Sequence, residues 1–131
     1  MKLVYPAVFT PLDDSDGYCV SFPDLPGCVT QGSSLADAIE MAADAASGWV
    51  LDEIEDGNDI PKSSPADEVE LDGDSFMSLV VLNMDEYAEK YGSKGVIKSC
   101  TIPAWLNTRA EIAHIDFSDA LKEALISRLG M

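Results

Sequence analysis

Acidic side chains are the residues of this 131-residue chain whose type first suggests chemistry. Two-metal nucleases hold Mg²⁺ between carboxylates that converge from several elements of a fold. Asp13, Asp14, Asp16 and Asp24 are the candidates by residue type. Three of them crowd one turn, however, where turn propensity alone accounts for aspartate. The predicted strand interiors contain no acid, so we predict no catalytic centre. Convergent carboxylates in the structure would revive the alternative of a nuclease.

Thiols and imidazoles, the other common reactive groups, are few. Cys19, Cys28 and Cys100 show no CxxC spacing, and His114 is the only histidine. A zinc site and a disulfide framework are therefore not expected, whereas three reduced thiols are. We predict neither a metal nor a cofactor.

A different chemistry, hydrogen bonding to DNA, is suggested by the segment from Val96 to Ile102. Its β-branched residues predict a strand, which Pro103 ends because proline has no amide to donate. Two helices follow, the first to about Ala113 and the second from an N-cap at Ser118. A lone strand leaves its backbone groups unpaired, and a second copy is the simplest remedy. The segment resembles the ribbon-helix-helix family, whose two-stranded ribbon fits the DNA major groove.

The resemblance assigns DNA contacts to side chains that alternate outward from the ribbon. Ser99 and Thr101 would bond base edges, and Ile97 would meet a thymine methyl group. Lys98 falls on the inward face, so its ammonium must reach the ribbon edge unless the register shifts by one residue. The amides at Ser118 would hold a phosphate, because helix N-termini favour anions. A helical dimerisation tail without DNA binding is the alternative.

Charge divides the chain into two unequal parts. The whole chain has a net charge of −16, yet residues 1–89 hold two bases and twenty acids, a net charge of −18. Residues 90–131 hold six bases and four acids, a net charge of +2. Such asymmetry suggests different partners for the two parts. The positive end suits phosphates and the acidic end suits a basic protein, although the acids would also serve solubility alone.

The N-terminal part predicts an α+β domain of order β-β-β-α-β, a meander followed by a helix that crosses to a fourth strand. The long helix is capped by Ser33 or Ser34, and Gly48 within it indicates close contact with the sheet. The last strand is nearly all apolar, which is typical of a strand covered on both faces. Residues 92–95 form a linker. The predicted strands are Leu3–Thr10, Tyr18–Phe22, Val29–Gly32 and Phe76–Leu82, with an optional strand at Val69–Leu71. The predicted helices run from residue 34 to Gly57 and from Asp85 to Tyr91. The apolar stripe of the long helix consists of Leu35, Ala38, Ile39, Ala42, Ala46, Trp49 and Ile54.

Two stretches of the N-terminal part carry a resemblance to the HicB antitoxin family. The first is Tyr5-Pro6-Ala7-Val8-Phe9, and the second runs from Gly17 through Phe22-Pro23-Asp24-Leu25-Pro26-Gly27-Cys28 to Gly32 and on to Ala38. The resemblance implies a partial ribonuclease H-like domain over residues 1–91 and a ribbon-helix-helix domain over residues 96–131. It also implies a HicA-type, RNA-cleaving toxin as partner and operator DNA as ligand. Which side chains bind the toxin stays unknown.

The sequence also leads to expectations about the oligomeric state and the cellular location. A homodimer should form through residues 96–102, and a second contact between N-terminal domains would give a tetramer. No apolar run approaches the roughly twenty residues that span a bilayer, and the N-terminus already reads as a strand, so we expect a cytoplasmic protein. An orphan ribbon-helix-helix regulator with a ligand-sensing N-terminal domain is the alternative function.

Overall fold

The computed structural model describes residues 1–92 and 95–130, and it contains two compact units, one on each side of residues 93 and 94. The predicted linker, 92–95, includes Ser93 and Lys94, which lie outside the described residues. The N-terminal unit contains β1 (Lys2–Pro11), β2 (Tyr18–Ser21), β3 (Val29–Gly32), α1 (Leu35–Glu55), a short 3₁₀ helix (Ala66–Glu68), β4 (Phe76–Asn83) and α2 (Met84–Tyr91). The C-terminal unit contains α3 (Ala104–Ile112) and α4 (Phe117–Leu129).

The four strands form one antiparallel sheet in the order β3-β2-β1-β4. The predicted α+β order β-β-β-α-β is therefore confirmed, except that no strand forms at Val69–Leu71. Pro6 lies within β1, and β1 and β4 pair without a bulge from Lys2 to Phe9. Pro6 is tolerated because β2 pairs with β1 only from Val8 onward, which leaves one side of the proline without a neighbouring strand.

Helix α1 covers one face of the sheet. Its buried residues are Ala38, Ala42, Ala46, Ser47, Val50 and Leu51. The predicted stripe was wrong at Leu35, Ile39 and Ile54, which are 43%, 45% and 37% exposed. Successive alanines, four residues apart, face the sheet instead, because small side chains allow the helix to lie close to large strand residues such as Tyr5 and Phe9.

Contact between β3 and α1 is close enough to require glycine. A Cβ atom on Gly32 would lie 2.3 Å from the backbone nitrogen of Ala38. Ser34, the predicted cap, accepts a hydrogen bond from the Asp37 amide at 3.1 Å and begins the helix there. A Cβ atom on Gly48 would lie 3.1 Å from the Tyr87 hydroxyl of α2, so the predicted helix–sheet contact is a helix–helix contact.

Strand β4 is not covered on both faces, contrary to prediction. Val80 and Leu82 are buried against α1, whereas Leu79 and Val81 are 54% and 58% exposed. The reason is that α1 and α2 supply a helical layer on one side of the sheet, and the described residues of this unit supply none on the other. The outer side of β1 and β4 is therefore an exposed apolar surface.

Candidate functional site

The C-terminal unit has no buried residue among residues 95–130. Its apolar side chains stay open to solvent, including Val96 at 74%, Ile112 at 73% and Leu129 at 72% exposure. The predicted strand, 96–102, has no strand partner and no assigned regular structure in the single chain. An isolated unit of this kind has no core of its own, as expected of half of a dimer.

Side chains of the predicted strand alternate between two surroundings. Lys98, Cys100 and Ile102 line a groove of about 710 Å³ against α3 and α4. Ser99 and Thr101 do not line this groove and are exposed. Lys98 thus lies on the helix side and Ser99 and Thr101 do not, whereas Ile97, which was predicted to point outward with them, borders the second groove beside α4.

A second groove, of about 510 Å³, runs along α4. Its apolar wall includes Leu121, Leu125 and Leu129, which lie four residues apart along one face of α4. Val96 and Ile97 line its other side, although Ile97 remains 95% exposed. The Lys98 stem borders both grooves. Both grooves thus present apolar walls at the place where a second copy would supply the missing half of a core.

The N-terminus of α4 differs from the prediction. Asp116, not Ser118, is the N-cap, because its Oδ1 atom accepts hydrogen bonds from the Ser118 amide at 2.9 Å and the Asp119 amide at 3.2 Å. Aspartate and serine are equally strong capping residues. With Asp116 as the cap, α4 begins at Phe117, one residue before Ser118. A phosphate bound at the Ser118 amide would have to compete with this carboxylate.

The turn between α3 and α4 is built around His114, which has a left-handed φ of 56°. The His114 amide donates to the Glu111 carbonyl, and the Ile115 amide donates to the Ala110 carbonyl, each at 3.1 Å. This pair of bonds is the Schellman motif that commonly ends a helix. His114 therefore has a structural role at the end of α3.

Asp24, one of the candidate acids, makes a structural contact in the N-terminal unit. The Asp24 carboxylate accepts two bonds from Ser64, from the amide at 2.9 Å and from the hydroxyl at 2.5 Å. It thereby fastens the loop after α1 to the turn after β2. No group of three or more acids, cysteines or histidines within the described ranges could hold a metal ion. The same turn is tied to α1 by Trp49, whose indole nitrogen donates to the Pro26 carbonyl at 3.0 Å.

Burial raises the pKa of three groups in the N-terminal unit, Tyr5, Cys28 and Tyr87. The pKa of Tyr5 is raised by desolvation and, secondarily, by the nearby Asp24 charge. The Tyr5 hydroxyl donates a hydrogen bond to the Pro61 carbonyl at 2.5 Å, and this bond requires the neutral, protonated tyrosine. Desolvation also raises the pKa of the Cys28 thiol, which makes it a weak nucleophile. These groups hold the core and the loop together and are unsuited to catalysis.

The exposed face of β1 and β4 is a feature that the sequence reasoning missed. Val4 lies opposite Val81, and Val8 lies opposite Met77, so these side chains share one face of the sheet. On β4, Leu79 lies between Met77 and Val81 on the same face. Its cross-strand partner on β1 is Pro6, which is buried. A signal was available, because the predicted elements contained only enough helix to cover one face of a sheet.

An acidic cleft of about 610 Å³ lies at one end of this face. Val8, Thr10 and Ser21 of the sheet form its floor, together with the segment Glu70–Ser75. Its carboxylates are Asp13, Glu70, Asp72 and Asp74. Within the described residues, none of these four is paired with a base. The cleft and the adjoining apolar face suit a partner that carries both apolar and basic groups.

No described helix is long and apolar enough to cross a membrane.

Comparison with protein families gives one match over most of the chain. The family model of the "HicB_like antitoxin of bacterial toxin-antitoxin system" matches residues 5–121. An uncharacterized 14.9 kDa protein from the rep-hol intergenic region of Haemophilus phage HP1 is 31% identical over 97 residues, which cover 74% of this chain and 72% of that protein. Antitoxin HicB 1 of Photorhabdus laumondii is 33% identical over 85 residues, which cover 65% of this chain and 54% of that antitoxin.

Among solved structures, a chain of the toxin–antitoxin complex from Streptococcus pneumoniae resembles this one over both units. The match has a TM-score of 0.64 at 27% identity and covers 98% of this chain and 99% of that chain. The similarity therefore extends beyond the N-terminal unit to α3 and α4.

Proposed function

This chain belongs to the HicB-like antitoxin family of bacterial toxin–antitoxin systems, and from that premise we propose that it neutralises a HicA-type, RNA-cleaving toxin and represses its own operon as a dimer. Its named relatives are antitoxins, and it is not an enzyme. The observation that supports the toxin part is the charge of the N-terminal segment, with two bases against twenty acids over residues 1–89. A basic, RNA-binding toxin is attracted to such a surface, and an acidic domain that covers it excludes RNA.

The dimer part of the proposal rests on the coreless C-terminal unit. Leucines at positions 121, 125 and 129 line a groove instead of a core, and the segment 96–102 has unpaired backbone. A second copy would pair this segment as an antiparallel ribbon and close both grooves, as in a ribbon-helix-helix dimer. Whether the N-terminal units add a contact that gives tetramers stays a prediction, as does the cytoplasmic location.

The DNA part of the proposal assigns base contacts to the outward side chains of that ribbon. Ser99 and Thr101 would bond base edges, Ile97 would contact a thymine methyl group, and Lys98 would reach phosphate from the ribbon edge. Short hydroxyl side chains read bases less strongly than bidentate ones, each of which supplies about 1–3 kcal/mol. The acidic domain also repels DNA. We therefore expect weak, salt-sensitive binding by the chain alone and tighter binding with a basic toxin bound.

The role proposed for Ser118 at a phosphate depends on Asp116. Because the Ser118 amide already donates to the Asp116 carboxylate, a phosphate contact requires that carboxylate to turn away. The Asp116→Asn variant, which removes the charge and keeps a capping oxygen, should strengthen DNA binding at low salt if phosphate is bound there.

Co-expression tests the toxin part. The reading frame next to this gene should encode a toxin that stops growth alone, and this chain should rescue growth and co-purify with it. A toxin that is active alone, but is neither rescued nor bound, would contradict the proposal. Inspection of that reading frame also separates an antitoxin from an orphan regulator, which would have no toxin gene beside it.

A mobility shift on the upstream region of the operon tests the DNA part, at two salt concentrations and with and without toxin. Thr101→Ala should reduce specific binding more than non-specific binding, and Lys98→Ala should weaken both. If neither the chain nor its toxin complex prefers this fragment over random DNA, the ribbon serves dimerisation alone.

A further inference from the structure

The outer face of β1 and β4 is an apolar surface that stays exposed at Val4, Leu79 and Val81, although Pro6 on the same face is buried. Val4 and Val81 are cross-strand partners, and Leu79 lies two residues from Val81 on the same side of β4. These three side chains are 42%, 58% and 54% exposed. Adjacent exposed apolar side chains on a sheet differ from scattered ones, because a contiguous patch marks an interaction surface.

The same surface reaches an edge of the sheet that lacks protection. β4 is an outer strand with eight residues, and Phe76–Asn83 contains no charge and no proline. It pairs with β1 without a bulge. Natural proteins usually protect an edge of this length with lysine, proline, a bulge or a covering element. An unprotected edge beside an exposed apolar face indicates that a partner covers this side of the sheet.

Charge decides which partner fits. The acidic cleft, with Asp13, Glu70, Asp72 and Asp74, lies at the end of this face where β4 begins. These carboxylates belong to a segment, residues 1–89, with a net charge of −18. A second copy would bring the same negative charge to this face, so a second copy is disfavoured and a basic partner is favoured.

We propose that the outer face of β1 and β4 is the toxin-binding surface of this antitoxin. An apolar patch of the toxin packs on Val4, Leu79 and Val81, and its lysine or arginine side chains enter the acidic cleft beside Asp72 and Asp74. This assignment rests on the proposed antitoxin function and names the surface through which it acts. The apolar part supplies most of the affinity, and the carboxylates accelerate association and select a basic partner.

The test uses the full chain and the purified product of the neighbouring toxin gene, with binding measured by calorimetry. Leu79→Lys should weaken toxin binding by about 30-fold or more, since it removes the central apolar contact and adds a charge of the toxin's own sign. Ile39→Lys is the matched control, because Ile39 is 45% exposed on α1, in the layer on the other side of the sheet. It should change affinity by less than about threefold. Unchanged thermal unfolding of both variants shows that each one folds.

A second pair of variants tests the acidic cleft. Asp72→Asn with Asp74→Asn should weaken binding about tenfold at low salt and much less at high salt, because screening removes the attraction that the carboxylates supply. Glu40→Gln with Glu53→Gln removes the same charge from α1 and is the control, with an effect of less than about threefold.

The outcomes separate this inference from the function on which it rests. If the natural chain does not bind the toxin, the antitoxin function itself fails. If the natural chain binds and Leu79→Lys binds equally well, the surface assignment is wrong and the function stands. If Leu79→Lys leaves toxin binding intact but reduces the size of the assembly in solution, a second copy covers this face and the assignment is again wrong.

Discussion

The two units of this chain differ in how many of their apolar side chains are buried. The N-terminal unit buries fifteen apolar residues in one core, between the sheet and α1. The C-terminal unit, over residues 95–130, buries none. The N-terminal unit thus has a core of its own, whereas the described part of the C-terminal unit has none. On the function proposed above, the C-terminal unit gains its core by pairing with a second copy.

The two units should therefore respond differently to protein concentration. A unit with its own core unfolds at a temperature that does not depend on protein concentration, whereas a unit stabilised by association unfolds at a temperature that rises with concentration. The chain carries two tryptophans, Trp49 in α1 and Trp105 in α3. Variants that keep one of them report on one unit at a time, so an effect of a substitution can be assigned to its unit.

The largest effect is expected for Gly32→Ala in the N-terminal unit. The added Cβ would lie 2.3 Å from the Ala38 nitrogen, and the backbone of α1 cannot yield as a flexible side chain would. We expect a loss of about 3 kcal/mol in the free energy of unfolding, measured by urea denaturation with Trp49 fluorescence.

Gly27→Ala is the control for that substitution. Gly27 has a φ of 80°, but a Cβ there would meet no atom within 4 Å. It should cost only about 1 kcal/mol from backbone strain. Because Gly32 has no positive φ, equal losses for the two variants would show that the contact between β3 and α1 relaxes to admit the added methyl group and is not what makes Gly32 necessary.

The next effect concerns the ribbon of the C-terminal unit. Amides along an antiparallel strand point alternately toward and away from the partner strand. One of Ser99→Pro and Cys100→Pro should therefore remove a ladder bond from each copy. Two lost bonds at about 1 kcal/mol each raise the dimer dissociation constant roughly 30-fold, as measured by analytical ultracentrifugation.

Cys100→Val keeps the amide at the same position and should leave the dimer intact. The Trp49 unfolding transition should be unchanged in all three variants. A monomer at micromolar concentration in the natural chain, with α3 and α4 still folded, would contradict dimerisation through the ribbon altogether.

Local patterns predicted the elements well, and the tertiary environment explains what they missed. Ser33 or Ser34 was predicted from the sequence as the cap of α1, and Ser34 accepts the expected amide hydrogen bond. The buried face of α1 was harder to predict, because Ile39 is more hydrophobic than Ala38 and yet is exposed. Which of two apolar positions is buried depends on how closely the helix approaches the sheet, and Gly32 sets that approach.

The candidate surfaces were predictable to different degrees. The coreless C-terminal unit could be inferred from an unpaired strand between residues 96 and 102. The apolar face at Leu79 and Val81 was missed, because a strand covered on both faces and a strand with an interaction surface have the same apolar pattern. Only the small amount of predicted helix pointed to it. The acidic cleft could not be predicted from the sequence either, because Asp13 and Asp74 are 61 residues apart in the chain and only the fold brings them together.

A smaller effect distinguishes the two candidate caps of α4. Asp116→Ala removes the acceptor of two amide bonds and should cost about 1 kcal/mol of C-terminal unit stability. Ser118→Ala should be within about 0.5 kcal/mol of the natural chain. Thermal unfolding at fixed protein concentration, followed by Trp105, makes the comparison. The opposite ranking would restore Ser118 as the cap.

The smallest effect is expected at the α3–α4 turn, and it should be stabilising. His114 holds a φ of 56°, where a side chain costs conformational energy that glycine avoids. His114→Gly should raise C-terminal unit stability by about 0.5 kcal/mol, since relief of strain slightly exceeds the added entropy of the unfolded chain. His114→Ala keeps a Cβ and should give no gain, so it isolates the backbone effect from the loss of the imidazole. If both variants destabilise the unit equally, the imidazole makes a contact in the assembled dimer, and the exposed turn of the single chain becomes part of the interface between copies.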